Sequence, residues 1–159
     1  MNKQLIDEII KELNKPIPIY VTKINPDISL PFYATNGSSG MDIKTSTDII
    51  IKAHETVLIP TGLKMAIPQG YEIQIRPRSG LSLKTNLRIP NSPGTIDSDY
   101  KDEIKIIAYN AGLEDIKFNK NDRIAQIVLC KVEKITFILK DTIDDIGFNR
   151  EGGFGHTGT

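Results

Sequence analysis

The sequence predicts an all-β fold, a barrel or sandwich of short strands, and three observations predict it. From Pro16 onward the chain is a series of short runs rich in Ile, Val, Thr and Tyr, broken every few residues by Gly, Pro, Asn or Asp. Such spacing of strand-like runs and turn signals is what barrels and sandwiches require. Tyr71, Glu72, Ile73, Gln74, Ile75 and Arg76 alternate strictly between apolar or aromatic and polar, as a half-buried strand does. The helical period, in contrast, is confined to the start of the chain.

Taken in order, residues 3–14 predict a short amphipathic helix. Leu5, Ile6, Ile9, Ile10 and Leu13 fall near helical spacing with charges between them. Pro16 and Pro18 stop it. Strands are expected over 17–24, 48–52, 56–60, 63–67, 71–76, 103–110 and 123–138, with two shorter ones at 87–90 and 95–96. The turn Asn91-Ser92-Pro93-Gly94 joins the last two as a hairpin. Residues 79–84 have room for one helical turn. The final stretch, 147–159, holds five glycines, and taken alone would be a frayed tail. The expected organisation is an N-terminal helical extension (1–15), a β domain (16–146) and a glycine-rich end (147–159).

Composition narrows the functional class. The chain has 159 residues, enough for one domain with a real core. Twenty basic residues balance twenty acidic ones, so a nucleic-acid polyanion is not the expected partner. Acidic residues interrupt the apolar positions of the first helix, which argues against a signal peptide or a membrane-surface helix. No apolar run reaches the length of a membrane span. A soluble cytoplasmic protein is expected. Cys130 is the only cysteine, so no internal disulfide can form, and in the run IAQIVLCKV it reads as a small core residue. With one Cys and two His, His54 and His156, zinc-deaminase and structural-zinc chemistry are excluded. His54 reads as a solvated turn residue.

Chemistry concentrates in a few segments. Arg78, Ser79 and Gly80 offer a forked cation, a hydroxyl and an approachable backbone, which suits phosphate. The 91–94 turn can present backbone N–H and C=O groups to a flat base, with Asp97 beside the attached sugar. Asp97, Asp99, Asp102 and Glu103 gather acidity around Tyr100. No Walker loop is present.

These segments belong to an ordered set of five that resembles the trimeric dUTPase family. Ser39-Gly40-Met41-Asp42-Ile43 is similar to its first motif and Pro77-Arg78-Ser79-Gly80-Leu81 to its second. Asn91 through Tyr100, extending to Glu103, is similar to the third, and Asp122-Arg123-Ile124-Ala125-Gln126 to the fourth. Arg150, then Gly152-Gly153-Phe154-Gly155 with Thr157-Gly158, is similar to the fifth. The resemblance covers about residues 17–159. It implies a distorted, jelly-roll-like β-barrel that hydrolyses dUTP to dUMP and pyrophosphate with Mg2+.

By the same resemblance, Asp97 activates the water that attacks the α-phosphorus. Asn91, with Gly94, Thr95 and Ile96 of the turn, binds uracil. The Tyr100 ring leaves no room for a 2′-hydroxyl. Arg78, Ser79, Gly80 and Gln126 take the phosphates, and Asp42 reaches the metal through water or holds the site together. Arg150, Phe154, Gly155, His156 and Thr157 form a lid over a neighbouring subunit's site in a homotrimer. Four positions depart from the pattern. Lys101-Asp102 stands where the family usually has Arg-Gly, Asn121 where it has Gly, and His156 where it has Ser. A dCTP deaminase of the same fold, or a nucleotide-switched binding module, would carry many of the same residues.

Overall fold

A computed structural model of the chain describes residues 2–13 and 15–148. Its element order is α1 (Lys3–Leu13), β1 (Tyr20–Lys23), β2 (Phe32–Tyr33), β3 (Met41–Lys44), β4 (Ile49–Ile51), β5 (Thr56–Pro60), β6 (Leu63–Ala66), β7 (Tyr71–Arg76), α2 (Ser79–Lys84), β8 (Leu87–Arg88), β9 (Gly94–Ile96), β10 (Lys105–Asn110), β11 (Ile116–Phe118) and β12 (Arg123–Lys131). The all-β expectation holds. The strands form one five-stranded sheet, β2-β3-β12-β7-β9, one three-stranded sheet, β5-β10-β8, and two pairs, β1-β6 and β4-β11. Their hydrogen-bonded ladders do not run round into a closed barrel.

The core between these sheets is built mainly of isoleucine. Ile43, Ile51, Ile59, Leu63, Ile104, Ile106 and Ile124 are all but fully buried. β-branched side chains suit a pleated surface, and each such burial contributes roughly 1.5–3 kcal/mol. In β10, Ile106, Ala108 and Asn110 point inward while Lys105, Ile107 and Tyr109 do not. The buried Asn110 is not orphaned. Its amide donates to the carbonyls of Ile51 (3.0 Å) and Glu114 (2.7 Å), and its Oδ1 accepts from Gly112 N–H (2.9 Å).

β7 is the strand that positions the site. It pairs with β12 on one side and with β9 on the other, where Ile75 faces Gly94 and Gln74 faces Thr95. Its own C-terminal end runs through Pro77 and Arg78 into α2. One strand therefore carries the 91–96 turn on its flank and the 78–80 turn at its tip.

Three expectations need correction. The long strand foreseen over 123–138 ends at Lys131, because Lys131 pairs with Tyr71, the first residue of β7, and the ladder has no partner beyond it. Ile135, Phe137, Ile138 and Leu139 are accordingly exposed. β8 and β9 do not form a hairpin with each other. β8 pairs with β10 and β9 with β7, so the 91–93 turn crosses between sheets. Cys130 is half-buried rather than in the core. It sits opposite Glu72, on the face of β12 turned away from the buried Ile127, and Arg76 Nη2 lies 3.8 Å from its sulfur. Asn121, which stands where the family usually has Gly, adopts a left-handed backbone with φ 73°, and so does His54, with φ 58°. Among the described residues, no helix is long and apolar enough to cross a membrane.

Candidate active site

Two groups of polar residues form where the motifs fall. The first surrounds a cleft of about 420 Å³, a size suited to a small ligand such as a nucleoside. The chain leaves β8, turns through Asn91 and a cis Ser92–Pro93 bond, and enters β9. Gly94 is required at that entry. A Cβ there would stand 2.9 Å from Asn91 Nδ2 and 3.4 Å from Ile75 Cβ, so only glycine lets the Asn91 amide lie against the strand. Asn91, Gly94, Thr95, Ile96, Asp97 and Tyr100 line one part of the cleft, and Leu58, Ile75, Lys105, Ile106 and Ile107 complete it.

Asn91, Asp97 and Tyr100 are exposed and so open to a ligand. The 97–100 turn is closed by Tyr100 N–H donating to the Asp97 carbonyl at 3.2 Å. The Tyr100 hydroxyl donates to the Glu103 carbonyl at 2.9 Å, which fixes the ring edge. Asp97 also borders a larger cleft of about 630 Å³, shared with Asp99, Lys101, Glu72 and Lys134.

The second group surrounds Asp42. Arg78 Nε donates to Asp42 Oδ1 at 2.9 Å, and Arg123 Nη1 donates to Asp42 Oδ2 at 3.0 Å. Arg78 Nη1 also reaches the Arg123 carbonyl at 2.9 Å. Asp42 is only 15% exposed, and charge-assisted bonds on both oxygens hold two cations side by side. The second cation, Arg123, was not singled out from the sequence for any role. It lies within the fourth motif, and this was the available signal. Gln126 sits in the same group, where its Nε2 donates to the Pro77 carbonyl at 2.9 Å. Its packing depends on Gly40, whose hypothetical Cβ would lie 2.4 Å from Gln126 Oε1.

Ser79 and Gly80 are exposed at the start of α2, which no side chain caps. The group thus presents cations, a hydroxyl and an open backbone, the chemistry a phosphate chain needs.

Among the described residues the two groups do not line one common cleft. Arg78, Ser79, Gly80, Gln126 and Asp42 do not line the cleft that holds Asp97 and Tyr100. Arg150, Phe154, Gly155, His156 and Thr157 lie outside the described residues. Lys105 and Leu58 enter the cleft unforeseen. The outward alternation of β10 and β5 was their only signal. Among the described residues, no group of three or more His, Cys, Asp or Glu converges to hold a metal.

Known proteins resemble the chain in sequence and in fold. A family model for dUTPase matches residues 27–158. The chain is 48% identical over 133 residues to the deoxyuridine 5′-triphosphate nucleotidohydrolase of Fusobacterium nucleatum subsp. nucleatum, covering 82% of this chain and 90% of that one. It is 52% identical over 131 residues to the Finegoldia magna protein of the same name, covering 81% and 91%. Among solved structures, the Staphylococcus bacteriophage 80alpha dUTPase with dUPNHPP superposes with a TM-score of 0.82 at 22% identity, covering 89% of this chain and 99% of that one. A mutant dUTPase from phage phi11 of S. aureus, solved to reveal the coordination of a structural Mg(II) ion, superposes with a TM-score of 0.73 at 21% identity, covering 79% and 98%. These two structural likenesses speak for the fold, whereas the family match and the closer sequence identities carry the assignment. The chain belongs to the dUTPase family.

Proposed function

We propose that this protein hydrolyses dUTP to dUMP and pyrophosphate, supplying dUMP and keeping dUTP out of the nucleotide pool. The observation that carries the proposal is the gathering of Asn91, Gly94, Thr95, Ile96, Asp97 and Tyr100 around one nucleoside-sized cleft. Uracil takes the 91–96 turn, where backbone groups and the Asn91 amide match its carbonyls and N–H. Cytosine presents a donor where an acceptor is expected, and mispaired buried polar groups are costly. The 5-methyl of thymine would clash with the tight turn. The Tyr100 ring, tethered through its hydroxyl, stacks on the deoxyribose and rejects a 2′-hydroxyl.

Asp97 is the general base. It takes a proton from water as the water oxygen bonds to the α-phosphorus, and the bond from that phosphorus to the α–β bridging oxygen breaks to release pyrophosphate. A carboxylate is a weak base, so position rather than basicity makes it effective. Arg78, Ser79, Gly80 and Gln126 bind the phosphates. Asp42 would reach a bound Mg2+ through water, and the ion would supply charge neutralisation at the phosphates.

We place the site between subunits of a homotrimer in the cytoplasm. In support, one chain keeps its nucleoside cleft and its phosphate group apart. Arg150, Phe154, Gly155, His156 and Thr157 then close over a neighbour's site as a lid, with Phe154 over the uracil. An Asp97→Asn variant tests the assignment. It should lose at least about a hundredfold in kcat while still binding dUTP. Turnover near the parent's would remove Asp97 from this role.

A further inference from the structure

The segment carrying Asp97 and Tyr100 is irregular from residue 97 to 104, yet it must hold both side chains in place. Its anchor is the turn between β5 and β6. Ile104 N–H donates to the Leu63 carbonyl at 2.8 Å. The buried Thr61 donates its hydroxyl to the Ile104 carbonyl at 2.6 Å. Gly62 N–H donates to Glu103 Oε1 at 2.8 Å.

Gly62 is crowded on its other side and admits no larger residue. Its φ is +69°, and a Cβ would fall 2.1 Å from Ile28 Cδ1. Its carbonyl is also used, accepting from Ile24 N–H at 2.8 Å. Glu103 is thus bonded at both ends. Its carboxylate accepts from the Gly62 amide, and its carbonyl accepts from the Tyr100 hydroxyl at 2.9 Å. The remaining carboxylate oxygen lies 3.8 Å from Lys105 Nζ, on the wall of the nucleoside cleft.

We propose that Glu103 is a positioning residue that ties the Tyr100 ring to the β5–β6 turn and so sets the discrimination between deoxyribose and ribose. This rests on the reading of Tyr100 given above. The physical reason is that steric rejection needs an immobile wall. A ring whose tether can drift by about an ångström no longer excludes one extra oxygen, and misplacement of that size changes rates by up to about a hundredfold. Without the carboxylate, the buried Gly62 N–H also loses its acceptor, and the segment must shift to satisfy it.

The test compares Glu103→Ala, Glu103→Gln and Tyr100→Phe on dUTP and UTP. Glu103→Gln keeps an acceptor for Gly62 and should stay within about threefold of the parent in both kcat/KM and selectivity. Glu103→Ala should narrow the preference for dUTP over UTP by about tenfold. Tyr100→Phe, which removes only the tether and leaves the packing of Glu103 untouched, should narrow it in the same direction. Hydrogen exchange of the free protein gives a readout that needs no turnover. Amides of residues 98–104 should exchange faster in Glu103→Ala and unchanged in Glu103→Gln. If the parent does not hydrolyse dUTP but the exchange pattern holds, the functional reading fails while the tether stands. Unchanged selectivity in both Glu103→Ala and Tyr100→Phe, or a Gln variant as impaired as the Ala variant, would overturn the proposal.

Discussion

Arg78 shows how a residue recognised from its neighbours acquires a geometry that its neighbours do not reveal. A forked cation next to Ser79 and Gly80 is legible as a phosphate group in the sequence. That its Nε is spent on Asp42 and one Nη on the Arg123 carbonyl is not, because Asp42 and Arg123 are brought in by β3 and β12, strands distant in sequence. The fork is held by two acceptors. A lysine has a point charge and no fork, so Arg78→Lys cannot make both bonds. We expect Arg78→Lys to lower kcat/KM for dUTP by at least about tenfold, roughly the loss of one charge-assisted bond. Steady-state kinetics on the purified variant checks this. The same lesson holds for Asp42. Its type and motif suggested a metal or a structural role, and its two guanidinium partners weight it toward holding the basic group together.

At the scale of elements, strands with clear alternation were legible with their limits. β5 and β7 end where the sequence places them, because each has a buried face and a polar or exposed one. Elements whose limits depend on a partner were not. β12 stops where β7 begins, and β8 and β9 choose different sheets because their neighbours are β10 and β7. No local pattern encodes that. Gly40 makes the dependence testable. It precedes β3 and allows Gln126 of β12 to reach Pro77 at the end of β7. In Gly40→Ala the new methyl displaces the Gln126 side chain, a flexible group, and breaks its bond to the Pro77 carbonyl. The expected outcome is a several-fold rise in KM for dUTP with thermal stability reduced by no more than about 1–3 kcal/mol, the usual range for overpacking. A melting curve beside a Michaelis plot separates the two effects.

For the whole molecule, the class of fold followed from composition and turn spacing, since isoleucine-rich short runs can bury themselves only between sheets. The function followed from five motifs in order, and the structure brings the third to one cleft and the first, second and fourth to one basic group. What neither a single sequence pattern nor one chain completes is the joining of those two groups, which the proposed trimer performs. The glycine-rich end belongs to this scale as well. Removing residues 148–159 should depress turnover strongly and leave the oligomer intact, because the core strands end at Lys131. Sizing by light scattering beside an activity assay distinguishes a lid from a dispensable tail. The most direct test of the account as a whole is a substrate panel. The purified protein is mixed with Mg2+ and, separately, dUTP, dCTP, dTTP and UTP, and pyrophosphate and ammonia are measured together. Pyrophosphate is expected from dUTP alone, abolished by EDTA. Ammonia from dCTP, or no product from any of the four, would contradict it.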